Sequence, residues 1–342
     1  MDWSSIVDIT FRNVLSTDTV YFVIAAIGLN VQFGYAGLLN FGQAAFLACG
    51  AYGMGMTAHY FQVSPWFGLL FGLLFSIALG LLMGIPTLRL RADYLAIVTI
   101  ATAEAIRLTV RSVRFKQYFG GSDGISRYAD EFYSTDGWLI GGIDNGKRYG
   151  FGPFEYSGRE LRVMIVGWAL IAVIATLVWL LMRSPWGRVL KGIREDEDAV
   201  RSLGKNVFAY KMQALLLGGV IGMLAGVVLA ISRGSVQPDN YSREVTFYIL
   251  TALVLGGVAT ISGSIVGPMV FWMVLAFAEA FLIEVVDDRT GQLTIGGVTL
   301  IQTTGQIGQI RFILVGAMLM LLMVFRPQGI FGNRKEMALD GR

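Results

Sequence analysis

The sequence predicts an all-α polytopic membrane protein of about 8–10 transmembrane or re-entrant helices, at least one of them broken. Three observations carry that reading. Of the 342 residues, 55% are hydrophobic and only 15% charged, against roughly 25% charge in a soluble domain. Residues 19–88 and 245–278 contain no Asp, Glu, Lys or Arg at all. Between those runs, one charged island from Arg183 to Lys211 separates two further uncharged segments, 163–182 and 212–232. A net charge of +3, thinly spread, leaves no nucleic-acid footprint. One cysteine, Cys49, and one histidine, His59, rule out an internal disulfide and supply neither a metal-ligating nor a catalytic set.

Met1 to Asp18 is polar and mixed in charge, without the pattern of a cleavable signal. The charge-free run that follows is too long for two spans. Interruptions at Gly34–Gly42 and Gln62–Pro65 divide it into helical pieces at about 19–33, 37–60 and 66–86. Asn30, Gln32, Asn40 and Gln43 cluster at the first interruption. Polar groups at membrane depth either hold helices together or line a translocation path, and both readings stand for these four. Arg89 and Arg91 form a short basic loop. The next piece, about 92–110, carries Glu104, for which Arg107 at i+3 and Arg111 at i+7 are the local partners. It is read as a structural Glu104/Arg107 pair or as part of the path.

Residues 112–162 are a polar, glycine-rich loop, extracytoplasmic if the charged island is cytoplasmic. Gly141 to Arg148 nearly matches a phosphate-binding loop, but Arg148 stands where Ser or Thr must hold magnesium and no helix follows, so that reading is rejected. Gly53 to Ala58 loosely fits a dinucleotide fingerprint, and inside an apolar span reads as a packing site instead. Gly218, Gly222 and Gly226, spaced by four, form a second packing ridge. Residues 245–278 would extend about 51 Å as one helix, so they must break. The candidate positions are Gly256-Gly257 and Gly263/Gly267-Pro268. A polar loop at 285–310 precedes a last span, 311–325. Arg326, Arg334, Lys335 and Arg342 then place the tail, 326–342, in the cytoplasm.

The island holds seven basic residues and four acidic ones, Glu195 to Asp198. Lys and Arg in short loops resist translocation, so it is cytoplasmic. It reads as one helix, with Ser184 as N-cap, Pro185 at the first position and Gly204 as a left-handed stop after Leu203. Val189, Ile193, Val200 and Leu203 share a face, and Lys191/Glu195 and Glu197/Arg201 are spaced for i,i+4 pairs. Such a helix is a solvated connector or, because its apolar stripe needs a cover, a docking element for a cytoplasmic partner.

Several stretches taken together resemble the membrane permease subunits of branched-chain amino acid ABC importers, the LivM type most closely. They are Gly28-Leu29, Gly34 to Gly37, Phe41 to Phe46, Gly50 to Tyr52, Leu88 to Arg91, Tyr94 to Thr99 and Gly120 to Ile125. In the island they are Ser184-Pro185, Gly187-Arg188, Ile193-Arg194-Glu195, Leu203-Gly204 and Lys211. Gly256-Gly257, Thr260, Gly263, Gly267, Arg326-Pro327 and Gly329 to Gly332 complete the set. Ala92, Gly192, Ala259 and Ser264 depart from the family's usual Gly, Ala, Gly and Pro.

The resemblance implies one transmembrane permease domain over 1–342 in the bacterial cytoplasmic (inner) membrane, paired with a LivH-like permease subunit. It also implies two cytoplasmic ABC ATPases of the LivG and LivF type that carry ATP and magnesium, and an extracytoplasmic substrate-binding protein; this chain binds no cofactor itself. Coupling to the ATPases would fall to Ser184, Pro185, Gly187, Arg188, Ile193, Arg194, Glu195, Leu203 and Gly204 in the 183–211 loop. The path would involve Asn30, Gln32, Asn40, Gln43, Glu104, Gly256 and Gly257. Urea and amide importers have similar permeases and remain open as alternatives. A self-sufficient secondary transporter would need coupling carboxylates within its spans, and Glu104 with Glu279 offers little.

Overall fold

The structure, a computed structural model, describes residues 3–61, 64, 66–88, 92–126, 128, 130–133, 143–150, 152, 154–285, 293–295, 298–301, 310, 313, 316–317, 320–321, 324–325 and 328–332. Its helices are α1 (Trp3–Val14), α2 (Thr17–Leu29), α3 (Gln43–Tyr60), α4 (Phe67–Thr87) and α5 (Ala92–Arg111), then the single turns α6 (Lys116–Phe119) and α7 (Asp130–Tyr133). They continue with α8 (Gly158–Arg183), α9 (Pro185–Glu195), α10 (Glu197–Ser202), α11 (Val207–Arg233), α12 (Arg243–Gly256) and α13 (Ile261–Val285). Five stretches among the described residues are long and apolar enough to cross a membrane: Ile6–Tyr35, Phe67–Thr87, Gly158–Arg183, Val207–Arg233 and Ile261–Glu284. With α3, α5 and α12 they make an all-α, polytopic membrane protein with interrupted helices.

Three antiparallel pairs are the strands among the described residues: β1 (Ile125–Ser126) with β4 (Ser235–Val236), β2 (Arg148–Tyr149) with β3 (Tyr156–Ser157), and β5 (Leu293–Ile295) with β6 (Val298–Ile301). Arg148 begins a strand, which excludes the phosphate-binding loop; Gly141 and Gly142 lie outside the described residues.

The core is built on α2, α3 and α11, and small residues set its spacing. A Cβ on Gly226 would lie 1.9 Å from the Leu47 carbonyl oxygen, and one on Gly218 would lie 2.4 Å from that of Gly28. Gly222 faces the Gln43 side chain. Gly53, in the stretch once comparable to a nucleotide motif, instead meets the backbone of Gly68 and Gly72 on α4. Such contact lets backbones approach within bonding reach of buried side chains.

Ion pairs fix one end of the bundle. Asp18 pairs with Arg233 at 2.9 Å, Arg12 with Glu160 at 3.3 Å, and Arg107 with Asp239 at 3.0 Å. There too the hydroxyls of Tyr128 and Tyr133 donate, each at 2.7 Å, to the carbonyls of Ala230 and Ile231 near the end of α11, which also accept from the Gly234 N–H. Burial holds both hydroxyls above the usual tyrosine range, so they stay protonated donors.

Several boundaries differ from the sequence reading. The polar N-terminus is a helix, α1, which seats Ile6 and Thr10 against α13 and leaves Trp3, Val7 and Phe11 exposed. α8 starts five residues early because Ser157 and Glu160 form a capping box. The 245–278 run breaks once among these positions, between Gly256 and Ile261. Gly263, Gly267 and Pro268 lie inside α13, where the two glycines let α13 pack against the Gly256 turn and the Ala252 carbonyl. Arg89, Arg91, Arg326, Arg334, Lys335 and Arg342 lie outside the described residues, as does most of the 311–325 span.

Candidate functional site

Helix α2 does not end at Leu29 but loosens into a π-helical stretch, Asn30–Tyr35, and the chain then runs without helix from Ala36 to Gly42 before α3 begins. A non-helical segment at this depth leaves backbone groups that must find partners inside the protein. Buried hydroxyls and amides supply them. Thr99 accepts from the Phe41 N–H at 3.1 Å, Asn40 from Gly42 at 2.8 Å, and Thr246 from Ala44 at 2.9 Å. Gln32 donates to the Leu215 carbonyl at 2.9 Å and Gln43 to that of Gly218 at 3.2 Å, while Asn40 donates to Gln32 at 2.7 Å. None of Asn30, Gln32, Asn40 and Gln43 is more than 2% exposed. These four side chains are spent on holding backbone, and each such bond contributes about 1 kcal/mol.

The second interruption meets the first. The turn Gly257–Thr260 joins α12 to α13, and α12, at 14 residues, rises only about 21 Å, short of the roughly 30 Å of a hydrocarbon core. Asn30 takes hold of this turn with both ends of its amide: Oδ1 accepts from the Ala259 N–H at 2.9 Å and Nδ2 donates to the Thr260 carbonyl at 3.1 Å. Gly257 adopts φ +118°, which only glycine tolerates readily. The last carbonyls of α12 are bonded from a distant segment, by the N–H of Ile330 to Leu255 and of Phe331 to Gly256.

The charged island is docked on these elements. Arg194 donates from Nη1 to the Gly34 carbonyl at 2.7 Å, and its stem lies against Gly37. Ser184, Pro185 and Gly187 form the corner out of α8; a Cβ on Gly187 would collide with Met182 backbone. Of the apolar stripe, Ile193 and Val200 are buried and Val189 half-buried, with Leu190 buried beside them, so the chain itself covers all of it but Leu203. Arg188 and Glu195 are exposed.

Two sequence expectations for the island are corrected. It is two helices, because Asp196 leaves helical geometry at φ −153° and caps α10 by accepting from Asp198 and Ala199, both at 3.0 Å. Leu203 is not on the buried stripe but 78% exposed, because this break turns α10 before it; Gly204 does take the left-handed stop, at φ +75°. Glu197/Arg201 pairs at 2.8 Å, whereas Lys191 faces the Tyr35 ring at 5.8 Å. Removing the cap with Asp196→Ala should cost about 1 kcal/mol locally. The check is faster proteolysis between residues 196 and 205, with an unchanged melting temperature for the spans.

A cleft of about 290 Å³ lies between the island and the spans, lined among others by Gly37, Leu88, Leu95, Arg194, Glu197 and Lys211. Within that lining Lys211 donates to Glu197. Glu104 belongs elsewhere. It pairs with Arg107 through both carboxylate oxygens, at 2.5 and 3.1 Å, and Arg107 continues to Asp239, which Arg111 also contacts at 3.1 Å. The structure therefore unites Asn30, Gly256 and Gly257 with Arg194, gathers Gln32, Asn40 and Gln43 one layer away, and leaves Glu104 at the opposite end.

Comparison with known proteins settles which kind of membrane protein this is. Residues 13–323 match the family model described as branched-chain amino acid transport system / permease component. The chain belongs to this permease family. It is 30% identical over 322 residues to the high-affinity branched-chain amino acid transport system permease protein LivM of Escherichia coli K12, covering 92% of this chain and 69% of the relative. It is 23% identical to the probable branched-chain amino acid transport permease protein LivM of Methanocaldococcus jannaschii, over 92% of this chain and 91% of that protein. A shorter match, 28% identical over 38% of this chain and 37% of the relative, is to the autoinducer 2 import system permease protein LsrC of Photorhabdus laumondii. No solved structure matches.

The permease also uses residues that sequence reasoning missed as a set. Thr99 and Thr246 serve the same non-helical segment as the amides, yet lie on α5 and α12, and the Ala44–Thr246 bond spans 202 residues. Each is a hydroxyl on an apolar helix, and Thr99 also closes the Tyr94 to Thr99 stretch that carried the family resemblance.

Proposed function

We propose that this chain is the transmembrane permease subunit of an ATP-driven ABC importer for branched-chain or other hydrophobic amino acids. It forms the path with a second, LivH-like permease, and two cytoplasmic LivG/LivF-like ATPases hold ATP and magnesium. An extracytoplasmic binding protein delivers substrate at the end carrying Arg107 and Asp239, where the loop of residues 112–162 lies. The island, 183–211, and the tail then face the cytoplasm, with Arg188, Glu195 and Leu203 presented outward. The observation that carries this reading is the Arg194–Gly34 bond, which joins the charged island directly to the interrupted helix. Relatives over nearly the whole chain are named as branched-chain amino acid permeases, which supports the substrate class.

In this reading, docking of the ATPases moves α9 and α10, and the interrupted segments around Asn30 and Gly257 pass that movement to the path wall. The test is reconstitution into vesicles with the partner subunits and binding protein. Leucine should accumulate only with ATP inside, and vesicles containing this chain alone under a sodium or proton gradient should show no uptake. Gradient-driven uptake by the chain alone overturns the proposal; ATP-driven uptake of urea and not leucine keeps the importer and changes its substrate.

A further inference from the structure

We propose that Asn30 is a positioning residue for transport: it clamps the Gly257–Thr260 turn to the interrupted end of α2, so that displacement of α9 is delivered to the α12–α13 hairpin. The inference rests on the importer reading above and names the side chain through which that coupling runs.

Three contacts lie in series. Arg194 of α9 bonds the Gly34 carbonyl at 2.7 Å. Gly34 in turn packs against the Asn30 amide and the Ala259 N–H so closely that a Cβ there would lie 1.9 Å from Asn30 Oδ1 and 2.8 Å from Ala259 N. Asn30 then holds Ala259 and Thr260 by two hydrogen bonds, across 229 and 230 residues of sequence. Asn30 is 1% exposed, and both ends of its amide are committed to this turn.

The elements on either side of Asn30 are built to move. Asn30 opens the π-helical stretch, whose extra residue per turn can be shed by a one-residue register shift; such stretches recur at functional sites. Ala259 sits at φ +61°, the one described non-glycine residue with positive φ, a backbone state disfavoured once a Cβ is present. A strained residue persists only where its surroundings impose the conformation, and here the imposing contact is the bond from its own N–H to Asn30. The turn is thus held in place by a side chain that is itself mounted on a loosened helix.

The experiment uses the complete transporter with its ATPases and binding protein in lipid vesicles, with leucine as probe, and measures leucine imported per ATP hydrolysed. Spin labels at Leu203 and Ser262, both exposed, report α10 and the start of α13 in a Cys49→Ala background. In the parent the label separation should shift on ATP binding. Asn30→Ala should lower the import ratio at least tenfold and abolish the shift. Asn30→Asp, which keeps the shape and the acceptor but loses the donor to Thr260, should lie between and decides the matter if the alanine variant does not fold. Because the contacts act in series, Asn30→Ala with Arg194→Met should be no worse than the worse single variant, whereas unrelated packing defects would multiply. A parental ratio and shift in both Asn30 variants overturns the proposal. A parent that imports nothing with ATP overturns the importer reading itself, and is recognised by the absence of a shift in every sample.

Discussion

Gly226→Leu should sharply reduce the recovery of folded protein and lower its melting temperature, whereas Gly316→Leu should leave both intact. At Gly226 the new side chain would start 1.9 Å from the Leu47 carbonyl oxygen and 2.5 Å from its carbon, and a backbone cannot swing aside as a flexible side chain does. Helices α3 and α11 must part. Overpacking of this kind costs about 1–3 kcal/mol. Parting also removes the Gln43–Gly218 bond, leaving a buried amide unsatisfied at about 1–3 kcal/mol. The sum, on the order of 2–6 kcal/mol, competes with the roughly 5–15 kcal/mol that holds a folded protein together. At Gly316 nothing among the described residues lies within 4 Å of the added carbon. Cys49 provides an internal reporter: it is the one cysteine and packs against the cluster of Ala45, Phe46, Leu79, Met83 and Ala103, which joins α3 to α4 and α5. A thiol-reactive fluorogenic dye should label it at markedly lower temperature in Gly226→Leu, and equal melting of the two variants would refute the close α3–α11 approach.

The second large effect is expected from exchanging Arg194→Glu with Glu195→Arg. Net charge is unchanged and both positions lie on the island, so insertion should persist. What changes is the contact to Gly34: a guanidinium that donates at 2.7 Å gives way to a carboxylate facing a carbonyl. A charge-assisted bond contributes about 1.5–3 kcal/mol, and losing about 2 kcal/mol from a rate-limiting movement slows it about 30-fold. ATP-dependent uptake should therefore fall to near background while the protein remains in the membrane fraction. Wild-type uptake in this double variant would remove the island from the coupling mechanism.

The sequence displays the elements whose cause is local. Charge-free runs mark α2–α4, α8 and α11–α13, and the glycine-rich interruptions near Gly34 and Gly256 fall where the helices loosen or break. Elements set by distant partners were not visible. α1 exists because Ile6 and Thr10 find α13, and Gly263 and Gly267 stay helical because α12 packs on them. Asp196 looked like one acid among four; only its two cap bonds distinguish it. For the site, the four amides were identifiable as unusual, but whether they faced a path or held backbone depended on Leu215, Gly218 and Thr260, which no spacing rule connects to them.

The two bonds that Ile330 and Phe331 make to the end of α12 carry a consequence for biosynthesis. Leu255 and Gly256 are translated well before their partners, so during synthesis the end of α12 is inserted with these carbonyls still waiting. Maturation of the hairpin is deferred until the distal segment arrives, and a ribosome stalled before residue 330 would hold a nascent permease whose α12–α13 turn has not yet been sealed.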